Sequence, residues 1–156
     1  MDTAEPHKTP ITDETLRQFG GYNLKRAYLL IRQDMMRALE PTGLRIMTFS
    51  SLSIISENPN LTQSQLAKAL NIERSGVVVL VDELENADLI SRNRVKGDRR
   101  SYALQCTPKG EGKLAKAQDL VAEHENKMFA DLTSQERDTL RDLLARVDKR
   151  QSKTED

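Results

Sequence analysis

A chain of 156 residues with 37% apolar side chains, three Phe, three Tyr and no Trp has material for one modest core. Such a chain favours a fold that shares apolar surface with a second copy. Its 24 basic and 24 acidic side chains cancel, which excludes a uniformly basic nucleic-acid binder and leaves any polyanion to a local patch. A single cysteine, Cys106, excludes an internal disulfide. No run reaches the roughly 20 apolar residues of a membrane span, and Met1 to Pro10 carry no apolar leader. The expected address is the cytoplasm of a prokaryote, without membrane association.

Residues 1–11 read as a loose arm. Thr12 or Asp13 then caps a long helix whose apolar positions Leu24, Ala27, Ile31, Met35, Ala38 and Leu39 step by three and four. Gly20-Gly21 marks a bend or a late start in it. Pro41 and Gly43 close this helix. A second helix spans about 44–57 and ends at Asn58-Pro59-Asn60. Thr62 and Gln65 then form a capping box, with Leu61 and Leu66 at the staple positions. The short helix that follows ends near Leu70, and Asn71-Ile72-Glu73 is a tight connection.

Residues 74–88 contain Val77-Val78-Val79-Leu80-Val81, a strand by propensity. The spacing of Val77, Leu80, Val81 and Leu84 predicts a helix instead. Residues 90–95 and 101–106 are expected to be two short strands around a turn over 96–100. Thr107-Pro108 opens another helix. Thr133 and Glu136 form a second capping box before a last helix carrying Leu140, Leu143, Leu144 and Val147. Residues 151–156 read as a flexible tail.

The middle of the chain is therefore helix, three-residue turn, helix and hairpin. The hairpin concentrates charge: Arg92, Arg94, Lys96, Arg99 and Arg100 stand against Asp98 alone, a net +4 within nine residues. A helix-turn-helix puts its second helix in the major groove of DNA, and a basic hairpin after it can lie along the backbone or enter the minor groove. The fold class expected is mainly α with a small β-hairpin, a winged helix-turn-helix lobe beside a helical dimerisation region. Double-stranded DNA is the expected partner.

Gly43-Leu44, Leu61-Thr62, Leu66-Ala67, Leu70, Ile72, Ser75, Leu80-Val81-Asp82, Leu84-Glu85, Leu89-Ile90, Arg92, Asp98-Arg99-Arg100, Thr107-Pro108-Lys109-Gly110 and Leu132-Thr133 with Glu136 stand in an order that resembles the MarR family of transcriptional regulators. The resemblance covers about residues 16–148. It implies a homodimer joined by helices over about 12–40 and 108–150, each subunit presenting a winged helix lobe over about 44–107. It further implies a repressor that releases a palindromic operator when a small, phenolic or otherwise anionic effector binds. By the same analogy Arg100 is the minor-groove probe, with Asp98 supporting the wing. Asp88 stands where the family often has Gly, Gly76 where it often has Ser or Thr, and Val78-Val79 where it commonly has polar or basic residues.

The expected DNA contacts are Thr62, Gln63, Arg74, Ser75, Val78, Val79, Arg94, Lys96, Arg99 and Arg100. Arg94 and Lys96 suit phosphates, which give affinity without sequence information. Arg74 and Ser75 sit where a helix N-terminus can reach a base edge or phosphate. Outward valines in a major groove would meet thymine methyl groups. Dimer symmetry then expects half-sites about 10 base pairs apart.

The bland readings are few. Cys106 alternates with Leu104 and suits a buried apolar role rather than a redox sensor. His7 and His124 have no cysteine cluster beside them, and His124 between Glu123 and Glu125 reads as a solvated helix face. Tyr22, Tyr28, Arg32, Met47 and Phe49 lie on helices that border the family's ligand pocket and read as core or interface. No phosphate loop, dinucleotide fingerprint, zinc-protease motif or nucleophile elbow occurs, so no enzyme and no cofactor is expected. A helical dimer that has lost DNA binding and serves as an interaction module is the competing reading; Val78-Val79 and zero net charge suit it, and the retained basic hairpin opposes it.

Overall fold

The computed structural model describes residues 9–95 and 98–149, with the side chains of 95 and 98–101 left aside. The chain falls into two compact units, the first ending at Asp34 and the second beginning at Met35.

In the first unit, Glu14–Arg17 form the single turn α1 and α2 (Gly20–Leu39) begins. The long helix expected from residue 12 is thus interrupted, and α2 starts at the first glycine. Two successive glycines weaken helix by about 1 kcal/mol each. The Asn23 amide stabilises the break by donating to the carbonyls of Arg17 and Phe19, at 2.7 and 3.2 Å. Asp13 makes no side-chain cap. Its carboxylate instead accepts from Arg17 (2.7 Å) and the Tyr22 hydroxyl (2.6 Å), with Arg26 at 3.5 Å. The Tyr22 and Arg17 hydrogen bonds hold the Asp13 carboxyl below its ordinary range.

In the second unit, a 3₁₀ turn over Glu40–Thr42 ends at Gly43, whose φ of 71° is left-handed. Helix α3 covers Ile46–Glu57, two residues later than expected, because the Thr48 hydroxyl accepts from the Arg45 backbone N–H and sets the cap there. A two-residue strand, β1 (Leu61–Thr62), precedes α4 (Gln63–Leu70) and α5 (Arg74–Asn86). Strands β2 (Ile90–Val95) and β3 (Asp98–Cys106) lead into α6 (Pro108–Met128), and α7 is Ser134–Asp148. The sheet is antiparallel in the order β1-β3-β2.

Strand β3 begins at Asp98, so Asp98-Arg99-Arg100 belong to a strand and not to the expected turn. Lys96 lies outside the described residues, as do the tails 1–8 and 150–156. The strand β1 was not expected. Leu61-Thr62 is too short to show a period of its own, and pairing of Leu61 with Leu104 and Thr62 with Ala103 creates it.

Both helices of the helix-turn-helix end the same way. After α4, Ile72 N–H bonds to the Ala67 carbonyl and Asn71 to Lys68; after α5, Leu89 bonds to Leu84 and Asp88 to Glu85. These are Schellman closures, with Asn71 (φ 51°) and Asp88 (φ 59°) in the left-handed position that glycine usually takes. Helix α5 therefore stops at Asn86, not Asp88. The core gathers Leu39, Leu52 and Ile55 with Leu66, Val77, Val81, Leu84, Leu104 and Leu114. The valine run is helical because Val77, Leu80, Val81 and Leu84 share the buried stripe. His124 is buried, correcting the solvated face expected for it.

Candidate nucleic-acid interface

The capping box at α4 forms as its residues dictate. The Thr62 hydroxyl accepts from Gln65 N–H, and the Gln65 carboxamide accepts from Thr62 N–H at 2.8 Å. Thr62 and Gln63 are half-buried, so the Thr62 hydroxyl serves the cap first. The Asn71-Ile72-Glu73 connection then launches α5, and Arg74, Ser75, Val78 and Val79 all face solvent. Val78 is 40% exposed and Val79 63%; neither packs into the lobe. Glu73 supplies no side-chain cap, so the first N–H groups of α5 donate no hydrogen bond to that side chain.

Three acids on α5 are met by arginines from other elements. Arg45, just before α3, pairs with Glu83 through both guanidinium and carboxylate forks. Arg92 on β2 reaches Asp82 at 2.9 Å and also pairs with Glu85. The Tyr102 ring of β3 lies 6.0 Å from the Arg92 guanidinium, at the edge of cation–π range. Glu85 holds the Arg92 guanidinium above its ordinary pKa. One of the five cations counted in the hairpin is therefore turned onto the protein. Arg94 is exposed and lies beside Tyr102 in the strand register. Strand β3 carries Asp98, Arg99 and Arg100 at its start.

The outer side of the sheet is tied by amides. Asn93 donates to Gln105 at 3.1 Å, and Gln105 donates to Asn60 at 2.7 Å. The joint from α5 to α6 is equally specific. The Thr107 hydroxyl donates to the Asp88 carbonyl at 2.7 Å, and Lys109 donates to the Ala87 carbonyl at 2.8 Å. Sequence reasoning missed Arg92 as an organiser. Its signal was present, since acids at 82 and 85 precede it, but nothing in the spacing says that β2 folds back along α5.

Tyr22, Tyr28 and Arg32 lie in the first unit, where Tyr28 and Arg32 are exposed; Met47 and Phe49 are half-buried, and Phe49 packs on the core. Cys106 is half-buried with its sulfur 3.6 Å from the Leu89 carbonyl. Burial, reinforced by Glu111, pushes its thiol pKa up to about 12, opposite to a sensor thiolate. Among the described residues no group of His, Cys, Asp and Glu could hold a metal, and no helix is long and apolar enough to cross a membrane. His7 lies outside the described residues.

A short helix, a left-handed turn, a second helix with an outward face and a three-stranded wing define a winged helix-turn-helix protein of the DNA-binding class. The MarR family profile matches residues 46–102. The putative transcriptional regulatory protein for the hcr operon of Thauera aromatica is 35% identical over 135 residues, covering 86% of this chain and 81% of that protein. The transcriptional repressor CouR bound to a 23-mer DNA duplex superimposes with a TM-score of 0.85 at 36% identity, covering 89% of this chain and 99% of CouR. CouR bound to p-coumaroyl-CoA gives 0.79 at 33% identity, covering 88% and 97%. The chain belongs to the MarR family and is a transcriptional regulator, not an enzyme.

Proposed function

We propose that this protein is a homodimeric, ligand-responsive repressor that binds a palindromic operator and leaves it when an aromatic acyl-CoA thioester binds. The observation that carries this reading is the likeness, over nearly the whole of CouR, to a repressor solved with DNA and with p-coumaroyl-CoA. That effector carries both a phenol and anionic phosphates, on a larger molecule than the small, phenolic or otherwise anionic effector that the family resemblance implies. Helices over about 12–40 and 108–150 form the dimer, and the lobe over about 44–107 reads DNA. The exposed apolar side chains of the terminal helices support this: Leu24, Tyr28, Leu29 and Leu30 on α2, and Leu143, Leu144 and Val147 on α7. Such density of open apolar surface marks an interface.

In this reading α5 enters the major groove with Arg74, Ser75, Val78 and Val79. Thr62 and Gln63 approach the backbone, Arg94 and Lys96 meet phosphates, and Arg99 or Arg100 reaches the minor groove with Asp98 shaping the wing. The protein works at the nucleoid of a prokaryotic cytoplasm.

The test is selection of genomic fragments on purified full-length protein, followed by titration with p-coumaroyl-CoA, p-coumarate and CoA. Expected are salt-sensitive retention of specific fragments and release by the thioester alone. Absence of salt-sensitive DNA retention overturns the DNA-binding reading. Retention that the thioester leaves untouched overturns the effector class.

A further inference from the structure

We infer that Arg92 is a positioning residue that locks the wing to the recognition helix, so that α5 and the wing enter neighbouring grooves in register. The inference rests on the DNA-binding reading above. Arg92 sits on β2, on the same side of the sheet as Leu104 and Tyr102, its cross-strand and diagonal neighbours. Its two terminal nitrogens are committed to different carboxylates one turn apart on α5: NH1 to Asp82 at 2.9 Å and NH2 to Glu85. Its side chain is only 25% exposed. A forked guanidinium can hold two acceptors in fixed directions, which a lysine ammonium cannot do with the same rigidity.

The groups facing Arg92 explain why the position matters. Helix α5 carries three acids within about one turn, Asp82, Glu83 and Glu85, on the element that approaches a polyanion. Arg45, just before α3, pairs with Glu83, and Arg92 bridges the other two from the wing, offsetting one of their two negative charges. Without Arg92 the Asp82 and Glu85 carboxylates would lose this partner near phosphates, and the strands would still be held by their backbone ladder, the core packing of Ile90 and Leu104 and the Asn93–Gln105–Asn60 amide chain, none of which is an ion pair to α5. The ladder shifts register between Arg94 and Val95, so the regular pairing that Arg92 belongs to ends two residues beyond it.

A direct phosphate contact by Arg92 is the rival explanation, and Glu85→Gln separates the two. Glu85→Gln leaves Arg92 with Asp82 as its one remaining carboxylate partner and removes a negative charge, which tightens DNA binding if Arg92 simply meets phosphate. If Arg92 positions the wing, Glu85→Gln weakens operator binding roughly tenfold, the scale of one charge-assisted hydrogen bond, despite the loss of a negative charge. The probes are the selected operator and a random duplex of equal length. Arg92→Gln and Glu85→Gln should both lose hydroxyl-radical protection at the operator flanks while keeping protection in the major-groove half-sites. Arg92→Lys should recover only part of the operator affinity. Thermal unfolding checks that both glutamine variants fold, and the exposed rim of the bridge makes a small shift the expectation. Operator binding by Glu85→Gln as tight as wild type overturns the inference. So does an equal loss on both DNAs in Arg92→Gln with a salt slope reduced by about one. Failure of the wild-type protein to retain any DNA would instead strike the proposed function.

Discussion

Gly110, in the first turn of α6, lies against Leu89 so closely that a β-carbon on Gly110 would stand 2.1 Å from the Leu89 carbonyl oxygen and 2.8 Å from the Cys106 sulfur. The contact joins the end of the recognition helix to the start of α6, because Leu89 closes the Schellman turn of α5 and its carbonyl also accepts from Thr107 N–H at 3.0 Å. Gly110→Ala should therefore destabilise the fold by about 1–3 kcal/mol, the usual penalty for overpacking. Gly112→Ala on the same helix, with nothing within 4 Å of its added carbon, should be neutral or stabilise by about 0.5–1 kcal/mol. Urea unfolding of the two variants measures the contrast, and equal effects would refute the close approach.

The exposed Val78 and Val79 predict an operator half-site with thymines beneath them. Replacing those thymines by uracil removes only methyl groups and should weaken binding by about 1 kcal/mol, within the range for a wrong base pair. Val78→Ala with Val79→Ala should abolish the difference between the thymine and uracil operators. Equal affinity of the wild type for both operators would remove valines from sequence reading.

For the wing, Lys96→Ala should weaken binding to every sequence and lower the salt slope by about 0.9, one phosphate's share. Arg100→Ala should instead lower the preference for A·T-rich flanks, whose narrow minor groove attracts arginine. Fluorescence anisotropy across a salt series, with A·T-rich and G·C-rich flanks, reads both. An unchanged flank preference in Arg100→Ala would reassign the minor-groove probe.

Cys106 should resist iodoacetamide in the native protein at pH 8 and react once unfolded in urea, because its thiol pKa is raised to about 12. The sign for stability follows from the direction. The folded pKa exceeds the unfolded value of 9.0, so the contribution is fully present below pH 9 and is lost as pH rises toward 12. Wild type should lose more stability than Cys106→Ala between pH 9 and 11. Rapid native alkylation at pH 8 would contradict the assignment.

On α7, Leu143 and Val147 are 48% and 65% exposed. The pair Leu143→Glu with Val147→Glu keeps good helix formers while charging the proposed interface. Sedimentation should then report monomer, as it should for a chain lacking residues 133–156 unless that chain aggregates. A double variant that remains a normal dimer places the interface elsewhere.

Much of this protein is written locally. The caps at Thr62, Thr107 and Thr133 are legible because each is completed within three residues, by Gln65, Gly110 and Glu136. The helical nature of the valine run is legible because Val77, Leu80, Val81 and Leu84 repeat at the helical period whatever the individual propensities. From these the winged helix order, and the outward direction of Val78 and Val79, could be read directly. Tertiary structure decided the rest. The strand β1 exists only because β3 offers Leu104 and Ala103 as partners. Asp98 joins β3 through its pairing with Val95. His124 is buried although acids flank it in sequence. Arg92, counted among the hairpin's free cations, spends its charge on Asp82 and Glu85. A sequence counts charges along the chain, but whether a cation meets DNA or a carboxylate depends on which element folds back onto it.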